Sequence, residues 1–266
     1  MKDLDDVLDA IDAALDAEDV DEAVRLAKQA RRDFPSEPDV RLAYADTLWD
    51  AGDLRAASTE YKAAVQLAPL SSEALATLAW CHVALVEFED ARTAASKSMQ
   101  LGENAHAAGV LCLLAERAGE LEEGDRLARR AHALDPEAYP LPYRVSEEEF
   151  RAAVSEALDN LPESFRRALE GDVAVLVEPV PSVEVLSQEE PPLDPELLGL
   201  YVGVPLPERD SSAAKLPDII YLFQRNLEHA ATGRRELIDE IRTTVYHEVG
   251  HYFGFDEEEL EARDLG

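Results

Sequence analysis

The sequence is poor in positive charge, in sulfur and in long apolar runs, and each scarcity removes a class of function. Only 25 basic residues face 57 acidic ones, leaving a formal charge of −32 at pH 7. A phosphate backbone or an anionic bilayer would be repelled by such a chain. Nucleic acid and membrane surfaces are therefore disfavoured as partners, and a peptide or protein segment, preferably basic, is expected instead. No apolar run reaches the roughly 18 residues that a membrane span needs. The opening Met1-Lys2-Asp3-Leu4-Asp5-Asp6 has no apolar core of the kind a secretory signal carries, which predicts a cytoplasmic protein. Cys81 and Cys112 fall on helical patterns among apolar neighbours and are expected to be reduced core thiols. They are too few, and too far from the histidines of the C-terminal region, to suggest a metal cluster.

Against these absences stands a repeat. Pro35 and Pro69 lie 34 residues apart, and Pro136 lies 67 further on. Small residues keep the same period at Ala23, Ala57, Ala91 and Gly124, and again seven positions later at Ala30, Ala64, Ser98 and Ala131. A small residue at a fixed offset lets the two helices of a hairpin approach closely, and a fixed period means stacked copies of one such hairpin. The pattern resembles the tetratricopeptide repeat, with four units over residues 4–137. At the early position usually given to Gly or Ala, Ala45 and Ala79 conform while Ile11 and Cys112 do not, and Arg41 stands where an aromatic residue or Leu is common. The resemblance implies an all-α solenoid over 1–138 that exposes a concave face for docking a peptide or protein.

The prolines of Tyr139-Pro140-Leu141-Pro142-Tyr143 interrupt helices and stiffen a connection, so a second domain is expected over 144–266. Ser146 and Glu149 form a capping box for a helix whose apolar face is Phe150, Val154 and Leu158. Val173–Val177 reads as a buried strand, and Val183–Leu186 as a short one inside a loop rich in Pro, Ser and acid. Residues 200–204 and 218–223 are further strands, joined by a flexible connection at 207–212. The last strand before the C-terminal helix, Ile219–Phe223, is a candidate sheet edge to which an extended peptide could add. Together these elements make a small α+β domain.

The chemistry concentrates in His247-Glu248-Val249-Gly250-His251, on a predicted helix over 235–253 with Leu237, Ile238, Ile241, Val245 and Val249 at helical spacing. Residues four apart share a helix face, separated by about 6 Å along the axis, so both imidazoles can reach one ion. A catalytic zinc takes three protein ligands and leaves a position for water. Glu248 stands where its carboxylate can take a proton from that water. Gly254 ends the helix and turns the chain, and Glu257 then falls where a third ligand is needed.

The second half resembles the small bacterial family of minimal zincin-like metallopeptidase domains. The likeness is carried by Glu148-Glu149-Phe150, residues 173–178, 199–203 and 219–223, and the stretch Thr244–Gly254, in that order. It implies Zn2+ held by His247, His251 and an acidic residue six positions after the second His, commonly Asp. Glu257 fills that position here, with Asp256 just before it, so the third ligand lies between the two. Only 15 residues follow His251, too few for a separate downstream helix of the thermolysin kind. Metzincins have His at the position of Glu257 and a methionine turn, whereas the only methionines are Met1 and Met99. The expected function is a zinc-dependent peptidase with Glu248 as its catalytic residue and a repeat domain for docking. Tyr201, Tyr221 and Tyr246 are candidate oxyanion donors. The competing reading is a non-catalytic adaptor whose zinc site is structural, closed by Asp256 and Glu257 together.

Overall fold

A computed structural model of the chain describes residues 3–169, 171, 173–209 and 218–261. The chain divides into two compact units, Met1–Tyr139 with Val183–Leu193, and Pro140–Ser182 with Asp194–Gly266.

The first unit is a helical-repeat solenoid of four hairpins: α1 (Leu4–Asp16) with α2 (Val20–Asp33), α3 (Pro38–Asp50) with α4 (Leu54–Leu67), α5 (Ser72–Ala84) with α6 (Phe88–Leu101), and α7 (Ala105–Arg117) with α8 (Leu121–Leu134). Each hairpin packs on the next. The periodic small residues lie where the two helices of a hairpin touch, with Ala23, Ala57 and Ala91 fully buried. Gly124 goes one atom further, because a Cβ there would lie 2.8 Å from Glu116 Cγ. The turn inside every hairpin needs one residue of positive φ, found at Glu18 (56°), Gly52 (77°), Val86 (61°) and Gly119 (75°). Asp19 and Asp53 cap the helices that follow by accepting the N–H groups of Glu22 and Ala56.

Arg41, the departure from the repeat pattern, has a partner that explains it. Glu60 is buried on α4 and accepts from Arg41 Nη1 at 2.6 Å and from Arg31, whose guanidinium also lies 5.0 Å from the centre of the Tyr44 ring. Two cations around one buried carboxylate take the place of an aromatic contact. Ile11, another exception to the pattern, is fully buried in the core that the first two hairpins share with α5. Cys81 and Cys112 are both buried thiols, and burial pushes Cys81 up to about 11.

Val183–Leu186 forms α11, a single helical turn and not the expected strand. Its burial explains the difference: Val185 and Leu186 are buried side by side while Val183 is exposed, which alternating strand geometry cannot give. The segment belongs to the first unit, where Glu190 takes two hydrogen bonds from the Arg55 guanidinium at 2.8 and 3.2 Å.

The second unit begins with α9 (Glu147–Asp159), opened by the predicted capping box of Ser146 and Glu149. Then come α10 (Glu163–Leu169), β1 (Val173–Glu178), β2 (Gly199–Val202), a 3-10 turn at Leu206–Glu208, β3 (Asp218–Phe223), α12 (Gln224–His229), α13 (Arg234–Tyr252) and α14 (Glu257–Glu261). Of the connection read at 207–212, residues 210–212 lie outside the described residues. The sheet order is β1-β3-β2. β1 runs parallel to β3 with Val173 opposite Asp218, and β2 runs antiparallel with Gly199 opposite Leu222.

β3 is thus the central strand, which overturns its reading as a sheet edge. Its run of five apolar residues, with Ile220, Leu222 and Phe223 almost wholly buried, is what a strand covered by neighbours on both sides requires. The converse correction applies to β1, read as a buried strand. It lies at the edge of the three-stranded sheet, buries Val177 alone and leaves Leu176 exposed. The core of the unit joins Phe150 and Val154 of α9 to Ile220 and Leu222 of β3 and to Leu237, Ile241, Val245 and Val249 along one side of α13. A fully buried carboxylate ties the connecting segment to this core: Glu228 accepts from Arg144, Arg225, Gln224 and the N–H of Val145.

Candidate metal centre

The stripe Leu237, Ile241, Val245, Val249 advances by four residues per step and fixes the rotation of α13 against the sheet. That rotation turns His247 and His251 to a half-exposed face and Glu248 inward, where it is 6% exposed. The two imidazole Nε2 atoms stand 2.9 Å apart with the rings at 87°. Two nitrogens of tetrahedral zinc, each about 2.0–2.1 Å from the ion, sit only slightly further apart than this. The other nitrogen of His251 points at the carbonyl oxygen of Phe255, 3.3 Å away. A carbonyl can only accept, so Nδ1 carries the hydrogen in that contact and Nε2 is left with its lone pair, the tautomer a metal ligand needs.

The turn after the helix follows from Gly254, whose φ is +83°. The Gly254 N–H bonds the His251 carbonyl at 2.9 Å and the Phe255 N–H bonds that of Gly250 at 3.1 Å, the double closure of a left-handed helix end. The chain reverses, and Asp256 caps α14: its Oδ1 accepts the Glu259 N–H at 2.9 Å while Glu259 Oε2 receives the Asp256 N–H at 3.3 Å. Glu257 is the first residue of α14, and its side chain lies outside the described residues. α14 can pack onto α13 because residue 250 is glycine. A Cβ there would overlap Cδ2 of the fully buried Leu260.

A second glycine shapes the other side. Gly199 opens β2 against α13, and a Cβ on it would lie 2.6 Å from Thr244 Cγ2 and 3.0 Å from Glu248 Oε1. The Glu248 carboxylate therefore rests beside bare backbone at the start of a strand. The donor set of two imidazoles with aligned Nε2 atoms, an adjacent carboxylate held inward and an acidic helix start one turn away fits a zinc ion.

Of the three tyrosines, Tyr201 is committed elsewhere. Its hydroxyl donates to Asp218 Oδ1 at 2.8 Å, and burial together with that acceptor raises its pKa. Asp218 is itself buried and takes Arg209 Nη2 at 2.7 Å and the Val204 N–H at 3.3 Å. Arg209 also lies 4.7 Å from the centre of the Tyr252 ring. This Asp218–Arg209–Tyr201 cluster, which ties the end of β2 to β3 and α13, carries no sequence signal, since its members are separated in the chain and follow no period. Tyr221 stacks on Phe223 with ring centres 6.0 Å apart, and Tyr246 packs against the core. Among the described residues of the first unit, His82 with Glu87 and Asp90 is another group close enough to share a cation. There Nδ1 of the buried His82 already pairs with Glu87 at 2.6 Å.

Comparison with known proteins agrees with both halves. Residues 171–266 match the family model of the zincin-like metallopeptidases. Residues 14–63 and 42–106 match two tetratricopeptide-repeat models. The first of these matches begins after α9, so the opening Glu148-Glu149-Phe150 lies outside it. No functionally curated protein matches the chain. Among solved structures, it is similar to the crystal structure of MamA, with 22% identity and a TM-score of 0.43 over 59% of this chain and 86% of that one. It is also similar to TTC0263, a thermophilic TPR protein in Thermus thermophilus, with 19% identity and a TM-score of 0.47 over 63% and 91%.

Proposed function

We propose that this chain, an array of tetratricopeptide repeats joined to a zincin-like metallopeptidase domain, is a zinc-dependent peptidase with His247, His251 and Glu257 as metal ligands and Glu248 as general base and acid. The observation that carries the reading is the pair of Nε2 atoms 2.9 Å apart on one face of α13, with the inward carboxylate of the residue between them. Zinc, when bound there, would supply a Lewis acid that polarises a peptide carbonyl and acidifies a water. Glu248, held beside Gly199, takes the proton from that water and passes it to the leaving nitrogen. The hydrogen bond from His251 Nδ1 to Phe255 holds that imidazole in its ligand tautomer. Asp256 is already engaged as the cap of α14, which supports Glu257 as the third ligand.

Substrate is assigned to β2 in place of β3. β2 pairs with β3 along one edge, and among the described residues no strand pairs with its other edge. An extended peptide adding there would run past Gly199 and Glu248. The repeats serve protein–protein interaction, bringing in the substrate or a partner that presents it.

The test is metal analysis with cleavage of a random peptide library. Wild type should carry one zinc per chain and His247→Ala almost none. Zinc at full occupancy in that variant would sink the assignment. Glu248→Gln should keep zinc and lose hydrolysis, because an amide cannot accept the proton. A zinc-loaded wild type that cleaves no member of the library would favour the adaptor with a structural site.

A further inference from the structure

Both tryptophans of the chain stand in one cleft of the repeat unit. The cleft has a volume of about 310 Å³ and is lined by Asp46, Trp49 and Asp50 of α3, Tyr61 of α4, and Thr77 and Trp80 of α5. The spacing explains the grouping: 46, 49 and 50 fall at i, i+3 and i+4, and 77 and 80 at i and i+3, so each set forms a ridge on one helix face. The volume is at the lower end of the roughly 300–1,000 Å³ of small-ligand pockets, which suits a single side chain. Trp49 packs on the core of the first two hairpins and Trp80 on that of the next two, so both rings are braced and only half-buried.

Among the described residues the lining is aromatic and anionic and contains no cation. The Tyr61 hydroxyl donates to Asp46 at 2.6 Å. Asp50 is exposed at the rim. Burial raises the pKa of Asp46, and the negative charges of Asp50, Asp12 and Glu73 push the same way against the tyrosine hydrogen bond. Rings that attract cations and carboxylates that repel one another share one demand, a positive charge. A cation between an indole face and a carboxylate is attracted by both, the more strongly as it is desolvated. Arginine suits the site better than lysine, because its planar guanidinium stacks on indole while its fork bonds a carboxylate.

We infer that this cleft binds the arginine side chain of an extended peptide segment of a partner protein. The proposal rests on the repeat unit alone and is independent of the peptidase reading. It also gives the acidity of the chain a use, since a basic segment is drawn towards it before the specific contact forms.

The experiment uses the full chain carrying Glu248→Gln, so that nothing is cleaved. The probe is a short blocked alanine–serine peptide with one central arginine, beside its twin with neutral citrulline of nearly the same shape. Tryptophan emission reports docking directly, because both indoles line the cleft. The arginine peptide should shift that emission and bind at least about tenfold more tightly than the citrulline twin, a difference of roughly 1.4 kcal/mol. Trp49→Leu and Asp50→Asn should each weaken it by a similar factor. Glu122→Gln, which removes the same charge from an exposed position on α8 outside the cleft, should leave it unchanged. Asp50→Asn is exposed and keeps the test valid if Trp49→Leu disturbs folding. Equal affinity for the twin peptides would overturn the proposal, as would absence of binding at millimolar peptide. So would equal weakening by Glu122→Gln and Asp50→Asn, which would reduce the effect to net charge.

Discussion

At Gly199 a missing side chain makes room for a carboxylate. The nearest atoms to a Cβ built there belong to Thr244 and Glu248, at 2.6 and 3.0 Å, and both sit on the packed face of α13 where neither can retreat freely. Gly199→Ala should therefore push Glu248 out of position while leaving His247 and His251, on the half-exposed face of the helix, able to hold zinc. Overpacking of this kind costs about 1–3 kcal/mol of stability, and a misplacement near 1 Å lowers turnover on the order of a hundredfold. Kinetics and zinc content measured together decide it: wild-type turnover in Gly199→Ala would mean that Glu248 acts from elsewhere or not at all. The residues of the proposed metal site are the part most legible in the sequence, because His247, Glu248 and His251 follow a helical spacing that sets their relative geometry before any tertiary contact is known. Gly199 is different. Its meaning depends on α13 lying against β2, some 45 residues later in the chain, and no local pattern announces that. The same holds for Glu60 with Arg31 and Arg41, where a departure from the repeat pattern is explained only by a partner on the next helix.

The elements followed their periods where a period existed. Eight helices begin where a 34-residue repeat puts them, and α13 ends one residue before the predicted stop. What the periods could not supply was position within the sheet. β1 and β3 are both short apolar runs, and such a run fits an edge or a centre until the crossing order is known. A further regularity, the positive-φ residue in each hairpin turn, was hidden because Gly fills it in only two of four repeats. Val86 is the costly member, since a β-branched residue in the left-handed region carries about 1–2 kcal/mol of strain. Val86→Gly should relieve that, partly offset by the greater freedom of glycine in the unfolded chain and the loss of a half-buried side chain. A net gain of about 0.5–1 kcal/mol in urea unfolding is expected; a loss would show that the valine contact outweighs the turn. Gly250→Ala sets two effects against each other in the same way. Alanine gains about 1 kcal/mol of helix propensity, but its Cβ would overlap a buried Leu260 Cδ2, and the resulting clash costs roughly 1–3 kcal/mol. The clash should win, shifting α14 and Glu257 with it and weakening zinc by roughly 10- to 100-fold in a chelator competition. Unchanged zinc affinity would take the third ligand out of α14.

At the scale of the whole molecule, two kinds of stability stand side by side. A solenoid is held by contacts between neighbouring hairpins and is approximately additive along its length, whereas the α+β unit closes one core around α13. A proline-bearing connection at Pro140 and Pro142 separates the two in sequence, and such a boundary predicts independent folding. One segment complicates the division, for Val183–Leu193 leaves the second half of the chain to join the first unit, where Glu190 pairs with Arg55. Both members of that pair are largely exposed, so the contact is screened and contributes little. Residues 1–139 expressed alone should therefore unfold cooperatively, with a midpoint close to that of the first unit in the full chain. Residues 140–266 should also fold alone, and should bind zinc with the affinity of the full chain, since every assigned ligand lies within them. In this fragment the 183–193 segment loses the unit with which it is grouped. It should become the site of earliest proteolysis without lowering the calorimetric transition of the core. The full chain should then show two separable transitions. A single transition in the full chain together with non-cooperative melting of both fragments would place the boundary elsewhere. Rescue of the second fragment by adding the first in trans would show that the 183–193 contact is required for folding.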